Sequence, residues 1–295
     1  MSKEAPRDNI KGGAWLLADM ALNIWALGIV KALGLGYPAA QIVFLRAAIG
    51  LLLLSHWILR SRAQFATVPD LKLQILRVGL SAATLTASYF AIARVPLALF
   101  TTMNFTRPLV VMVLAALLLR ERITPAQWGA AAIAMIGVII AIDPDGTPLG
   151  PGLLALALVI LTGSGAVIVT RRLRGTPTIV LMTFYTIGLG LCTLPFALWS
   201  WQPIPPNHLA PLLAIGLFAQ AAQACFLRAH YNGDAGVLSV LGYTSLPLST
   251  AAGYFAFSEV PTLRFYAGAT LVVLAAASLT LSRRKRPVMG GEFRG

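Results

Sequence analysis

The chain has 295 residues, 58% of them apolar and only 11% charged, where an average soluble domain carries about 25% charged residues. A soluble core cannot use so much apolar surface without exposing much of it, so a water-soluble globular domain is excluded. The net charge of +13 does not point to nucleic acid, because Lys and Arg fall in small groups between long apolar runs and form no single basic face.

Ten membrane spans are predicted, at 12–33, 38–59, 71–93, 96–119, 125–142, 149–170, 176–199, 207–229, 235–257 and 263–282. Each is long enough for a spanning helix, which needs roughly 20 apolar residues. Residues 1–11 form a polar N-terminal segment. The first span carries Asp19 and Asn23 and is too long for a cleaved signal peptide. The second carries Arg46 and the third Arg77. The fourth carries Arg107-Pro108, and the fifth, 125–142, is uncharged. A polar turn, Asp143-Pro144-Asp145-Gly146, separates it from the sixth span. Residues 175–227 run 53 positions without a charge, split by Pro203, Pro205 and Pro206. The ninth span holds Pro247, and the basic tail 283–295 follows the tenth. The apolar runs are continuous rather than alternating, so the spans are helices and not barrel strands. Cys192 and Cys225 fall within spans and read as packing residues.

With the N-terminus in the cytoplasm, inside segments hold 17 Lys and Arg, outside segments three, and the spans themselves three. That asymmetry sets both termini inside.

The halves 12–143 and 149–282 repeat. Pro108 precedes Glu121 by 13 residues, and Thr124 and Gly129 follow; Pro247 precedes Glu259 by 12, and Thr262 and Gly268 follow. Each half has five spans with a proline inside the fourth. Five is odd, so the halves enter the membrane from opposite sides, as in transporters that work by alternating access. In these features the chain resembles the drug/metabolite transporter superfamily, EamA type, over about residues 12–282. Within it the chain looks most like the YddG-type amino-acid exporters of bacterial inner membranes. The resemblance implies export of amino acids, aromatic ones included, through a central cavity, with the fifth and tenth helices peripheral.

Candidate site residues are the polar groups at depth. Arg107 lies about 16 Å from the outer end of its helix, and an ionisable group there is a functional candidate by default. Pro108 removes an N–H and clashes with the carbonyl of Asn104, a break able to expose polar backbone. Pro108 and Pro247 are the expected hinges. Thr84, Ser88, Tyr89, Met103, Asn104, Gln220, Gln223, Tyr243 and Ser245 complete the expected cavity, polar anchors with an apolar wall. Packing and interhelical hydrogen bonding are the competing roles for each of them.

Asp19 and Arg77 sit at similar depth, about 10 and 9 Å from the inner ends of their helices, and are expected to pair. The alternative is that Asp19 binds a proton and drives efflux of cationic drugs; small multidrug-resistance transporters, a related family, use one acidic residue in their first helix. An intramembrane lipid-modifying enzyme is the remote alternative. Gly163-Ser164-Gly165 places a serine at depth, but His56, His208 and His230 all lie at span ends, so no Ser–His pair forms readily. No nucleotide-binding loop and no metal-ligand cluster occur, so neither a cofactor nor a metal is expected. The expected partners are small-molecule substrates and membrane lipids, and two halves in one chain let a monomer suffice.

Overall fold

The computed structural model describes residues 8–65, 70–119, 124–142, 150–173, 176–232, 238, 241–242 and 244–284. Eleven α-helices are described: α1 (Asn9–Leu33), α2 (Ala39–Arg60), α3 (Leu71–Ile92), α4 (Leu97–Asn104), α5 (Arg107–Leu119), α6 (Pro125–Ile142), α7 (Pro151–Arg172), α8 (Thr178–Trp199), α9 (Pro206–Asn232), α10 (Ser245–Phe257) and α11 (Leu263–Arg284). A short helical turn at Arg62–Phe65 follows α2. Among the described residues, seven stretches are long and apolar enough to cross a membrane, the α4–α5 stretch counting as one; shorter apolar runs lie within α6 and α11.

The punctuation read from the sequence sets the helix ends. Asp8 caps α1, its Oδ1 accepting from the N–H groups of Ile10 and Lys11 at 3.1 Å each. The bond from the Lys11 backbone, first among the causes, holds the Asp8 carboxyl below its ordinary range. Gly34 ends α1 at φ 58°, a left-handed backbone open to glycine at no steric cost. Pro38, Pro96 and Pro177 immediately precede α2, α4 and α8. Pro151 and Pro206 open α7 and α9, where a missing N–H costs nothing.

One break is mechanistic. The fourth span is two helices, interrupted at Phe105 and Thr106. Pro108 has no N–H for the carbonyl of Asn104. The chain tightens instead: the Phe105 and Thr106 N–H groups donate to Thr102 and Met103 carbonyls, three residues back. The Thr106 hydroxyl also donates to the Met103 carbonyl at 2.7 Å.

The helices pair as α1 with α9, α3 with α7, α2 with α8, and α6 with α11. A two-fold that exchanges the halves swaps the first two pairings and maps each of the others onto itself. The fold is therefore an all-α bundle of two repeated halves around a shared core, whose members run from Val30 in α1 to Val272 in α11. Large apolar side chains cover the outside: Trp199 is 93% exposed, Leu263 85% and Phe255 83%. Such a surface is solvated by lipid and not by water.

The α6–α11 pair meets at glycines. A Cβ on Gly137 would come within 2.7 Å of the Gly268 carbonyl oxygen, and one on Gly268 would strike the Gly137 carbonyl and the Ala141 backbone. Backbones this close leave no room for a side chain. Gly268→Leu should separate the two helices and cost about 1–3 kcal/mol, the usual range for overpacking. Thermal unfolding in detergent, compared with Gly129→Leu where a Cβ meets nothing within 4 Å, measures it.

Candidate functional site

A cavity of about 260 Å³ lies in the middle of the bundle. It is lined by α1 (Asn23, Ala26, Leu27), α2 (Arg46), α3 (Thr84, Leu85, Ser88, Tyr89), α4 and α5 (Phe100, Asn104, Arg107) and α9 (Ala219). Both halves contribute, though the second adds only Ala219 and the first supplies all the polar side chains of the described lining.

The break before Pro108 gives Arg107 its position at the start of α5. The guanidinium rests on α7 at Gly163, where a Cβ would meet Nη2 at 2.9 Å and Cζ at 3.0 Å. The next residue, fully buried Ser164, donates its hydroxyl to the Arg107 carbonyl at 3.4 Å. Gly163 and Ser164 are thus a seat for the start of α5, while Gly165 faces Leu80 of α3. The Arg107 Nε is buried and has no hydrogen-bond partner among the described residues.

Arg46 donates from Nη1 to the Tyr89 hydroxyl at 3.0 Å, with its guanidinium carbon 5.9 Å from the ring centroid. Asn23 spends its amide on Asp19, Nδ2 donating to Oδ1 at 2.7 Å and to the carbonyl at 3.1 Å. Asn104 Nδ2 donates to the Phe100 carbonyl at 2.8 Å. Both asparagines keep Oδ1 as an acceptor. Thr84 and Ser88 bond back to the α3 carbonyls of Leu80 and Thr84, and the Thr84 hydroxyl also meets that of Thr162 on α7 at 2.8 Å.

Five of the residues nominated from sequence therefore share one cavity: Thr84, Ser88, Tyr89, Asn104 and Arg107. Four described ones do not line it. Met103 packs in the apolar core, because one helical step turns it about 100° from Asn104. Gln220 lies against α2, its Oε1 3.3 Å from where a Gly50 Cβ would stand. Gln223 is an exposed position on α9. The Ser245 hydroxyl donates to the Gly242 carbonyl at the start of α10. Tyr243 lies outside the described residues. Pro247, the second expected hinge, is exposed in the first turn of α10 and lines a surface groove with Tyr254 and Tyr266 rather than this cavity.

The expected pairing of Asp19 with Arg77 does not form. Equal depth leaves the direction around each helix open, and Arg77 faces α7 and α8. Its Nε donates to Thr170 Oγ1 at 2.9 Å and Nη1 to the Leu181 carbonyl at 3.1 Å. Asp19 is buried behind Asn23.

Two polar lining residues, Asn23 and Arg46, were not nominated. Their signal was present: each is polar well inside an apolar span, and Asn23 stands one helical turn from Asp19.

A larger crevice of about 880 Å³ lies between α2, α3 and α8 and reaches the α1–α2 loop. It is floored by small α3 residues, Gly79, Ala82, Ala83 and Thr86. Tyr89 borders both spaces.

At the Gly34 end of α1 the halves are latched. The Lys31 Nζ pairs with Glu259 Oε1 at 2.8 Å and donates to the Val95 carbonyl at 2.7 Å. The other carboxylate oxygen accepts the Leu97 N–H at 2.9 Å and so caps α4. A left-handed Ser258 and the Glu259 N–H donating to the Gly253 carbonyl fold the α10 end back to aim this carboxylate.

Comparison with known proteins agrees with this architecture. The model of the EamA-like transporter family matches twice, over residues 13–142 and 151–281. The pseudopaline exporter CntI of Pseudomonas aeruginosa (strain UCBPP-PA14) is 27% identical, covering 95% of this chain and 99% of that protein. A riboflavin transporter of Brucella anthropi is 27% identical over 84% of this chain and 89% of its own length. An S-adenosylmethionine uptake transporter of Rickettsia felis is 23% identical over 96% of both. A solved crystal structure, 19% identical, superposes with a TM-score of 0.62 over 94% of this chain and 99% of that one, a likeness of fold alone. With two family matches that together span nearly its whole length, this multi-pass membrane protein belongs to the EamA-like transporter family.

Proposed function

We propose that the chain exports amino acids and related small metabolites across a bacterial inner membrane, by alternating access of the central cavity. The topology is ten spans, two inverted five-helix halves over 12–143 and 149–282, and both termini (1–11 and 283–295) in the cytoplasm. Transport is facilitated and uncoupled, since Asp19 is the only carboxylate deep in a span. The observation that carries the reading is the cavity's pairing of chemistries. Guanidinium donors of Arg46 and Arg107 suit a carboxylate, and the Oδ1 acceptors of Asn23 and Asn104 suit an ammonium. Leu27, Leu85 and Phe100 supply an apolar wall for a side chain. Relatives named for pseudopaline, riboflavin and S-adenosylmethionine support a small organic cargo, with both directions of movement represented.

Proton-driven efflux of cations on Asp19 is the weaker reading. Asp19 is absent from the cavity lining, and Asn23 stands in front of it. Proteoliposome uptake of labelled amino acids and organic cations, with and without a pH gradient, tests the choice. Amino acids should move without the gradient. Asp19→Asn should slow them severalfold, because it disturbs the carboxyl oxygen on which the Asn23 amide is anchored, yet leave the gradient independence intact. Movement of cations alone, gradient-driven and abolished in Asp19→Asn, would reverse the assignment.

A further inference from the structure

The cavity holds more positive charge than a neutral amino acid can answer. Three arginines lie well inside the predicted spans, Arg46, Arg77 and Arg107, against one carboxylate, Asp19. Arg77 is spent on Thr170 and Leu181 away from the cavity. Asp19 is behind Asn23 and outside the lining. The described lining of the space contains two arginines and no carboxylate. Arg107 Nε is a buried donor without a partner there, and only one of the five Arg46 N–H groups has a described protein acceptor, the Tyr89 hydroxyl.

Buried cations without counter-ions are costly, and an arriving anion recovers that cost as binding. One carboxylate answers one guanidinium. A zwitterion carries no net charge and leaves the site as positive as before. A molecule with two carboxylates and one ammonium answers both arginines and still offers its ammonium to Asn23 and Asn104. Building on the transport reading above, we infer that the Arg46–Arg107 cavity selects acidic amino acids and larger dicarboxylate amino-acid derivatives over neutral ones. Arg46 and Arg107 are then the residues that set specificity, and Asp19 is a positioning residue that keeps the Asn23 carbonyl turned to the substrate.

The test compares glutamate with glutamine, a pair nearly identical in shape that differs by one charge. The full chain, in proteoliposomes at equal pH on both sides, should take up glutamate at least tenfold faster. Arg46→Gln and Arg107→Gln should each bring that ratio toward one, while Arg107→Lys, which keeps the charge, should retain a preference at a reduced rate. Glutamine moving as fast as glutamate in the unaltered protein would overturn the inference and leave amino-acid export standing. If no amino acid moves at all, the proposed function fails with it. Should the Gln variants not fold, as judged by size exclusion, the ratio in the unaltered protein decides alone.

Discussion

Glu259→Ala should open the protein at the Gly34 end of α1. The substitution leaves Lys31 without its counter-ion and the first N–H of α4 without its cap. Both side chains are shielded, 15% and 14% exposed, so screening by water is slight. Removing one partner of such a pair costs about 3–5 kcal/mol, and the lower end suits a site near the membrane edge. A shift of about 3 kcal/mol changes a two-state population ratio roughly a hundredfold. The latch joins α1 and the end of α10 to the α3–α4 turn, so its loss favours the state in which this end, placed outside by the proposed topology, is open. A cysteine at Leu97, which is fully buried, reports it. In a background with Cys192 and Cys225 changed to alanine, labelling by a membrane-impermeant maleimide should rise at least tenfold with Glu259→Ala. The apolar pair Lys31→Met with Glu259→Leu should restore part of the protection, since a packed apolar pair replaces a buried ion pair at little cost. Unchanged labelling would show that the latch holds nothing shut.

Gly163→Leu should abolish transport while leaving the protein folded. The atoms in the way of a new side chain are the far end of Arg107, which is flexible, so the guanidinium yields and α7 stays in place. Stability should therefore change by less than about 1.5 kcal/mol, well under the usual cost of overpacking a rigid core. The guanidinium, however, is forced from its seat by more than an ångström, and a group held for recognition loses its value when misplaced by that much. Uptake should fall at least tenfold, and Gly163→Ala should give an intermediate loss. Parallel measurement of melting temperature and uptake separates the effects. Normal uptake in a folded Gly163→Leu protein would remove Arg107 from the substrate path.

How much of this was legible in the sequence follows from which forces are local. Helix ends and the break at Phe105 were readable, because Gly34 and Pro108 act on their own few residues. Membership in the membrane was readable from charge-free runs. The repeat was readable from Pro108 with Glu121 and Pro247 with Glu259. Direction around a helix was not. Depth suggested Asp19 with Arg77, but pairing also requires facing sides, and Arg77 turns to Thr170. Asn104 and Met103 are neighbours in sequence and occupy different environments. Arg46 and Asn23 carried the right signal, charge or amide at depth, and only the meeting of α1, α2 and α5 at one cavity shows that they share a space with Arg107.

Tyr89 borders two chambers at once. A small molecule lodged in the crevice of α2, α3 and α8 would press on that ring, and through its hydroxyl on Arg46, without entering the central chamber. Such a wedge would slow transport in a way that added substrate does not relieve. The protein thus offers a blocking point that is chemically unlike its cargo: mostly apolar, and bordered by the α1–α2 loop.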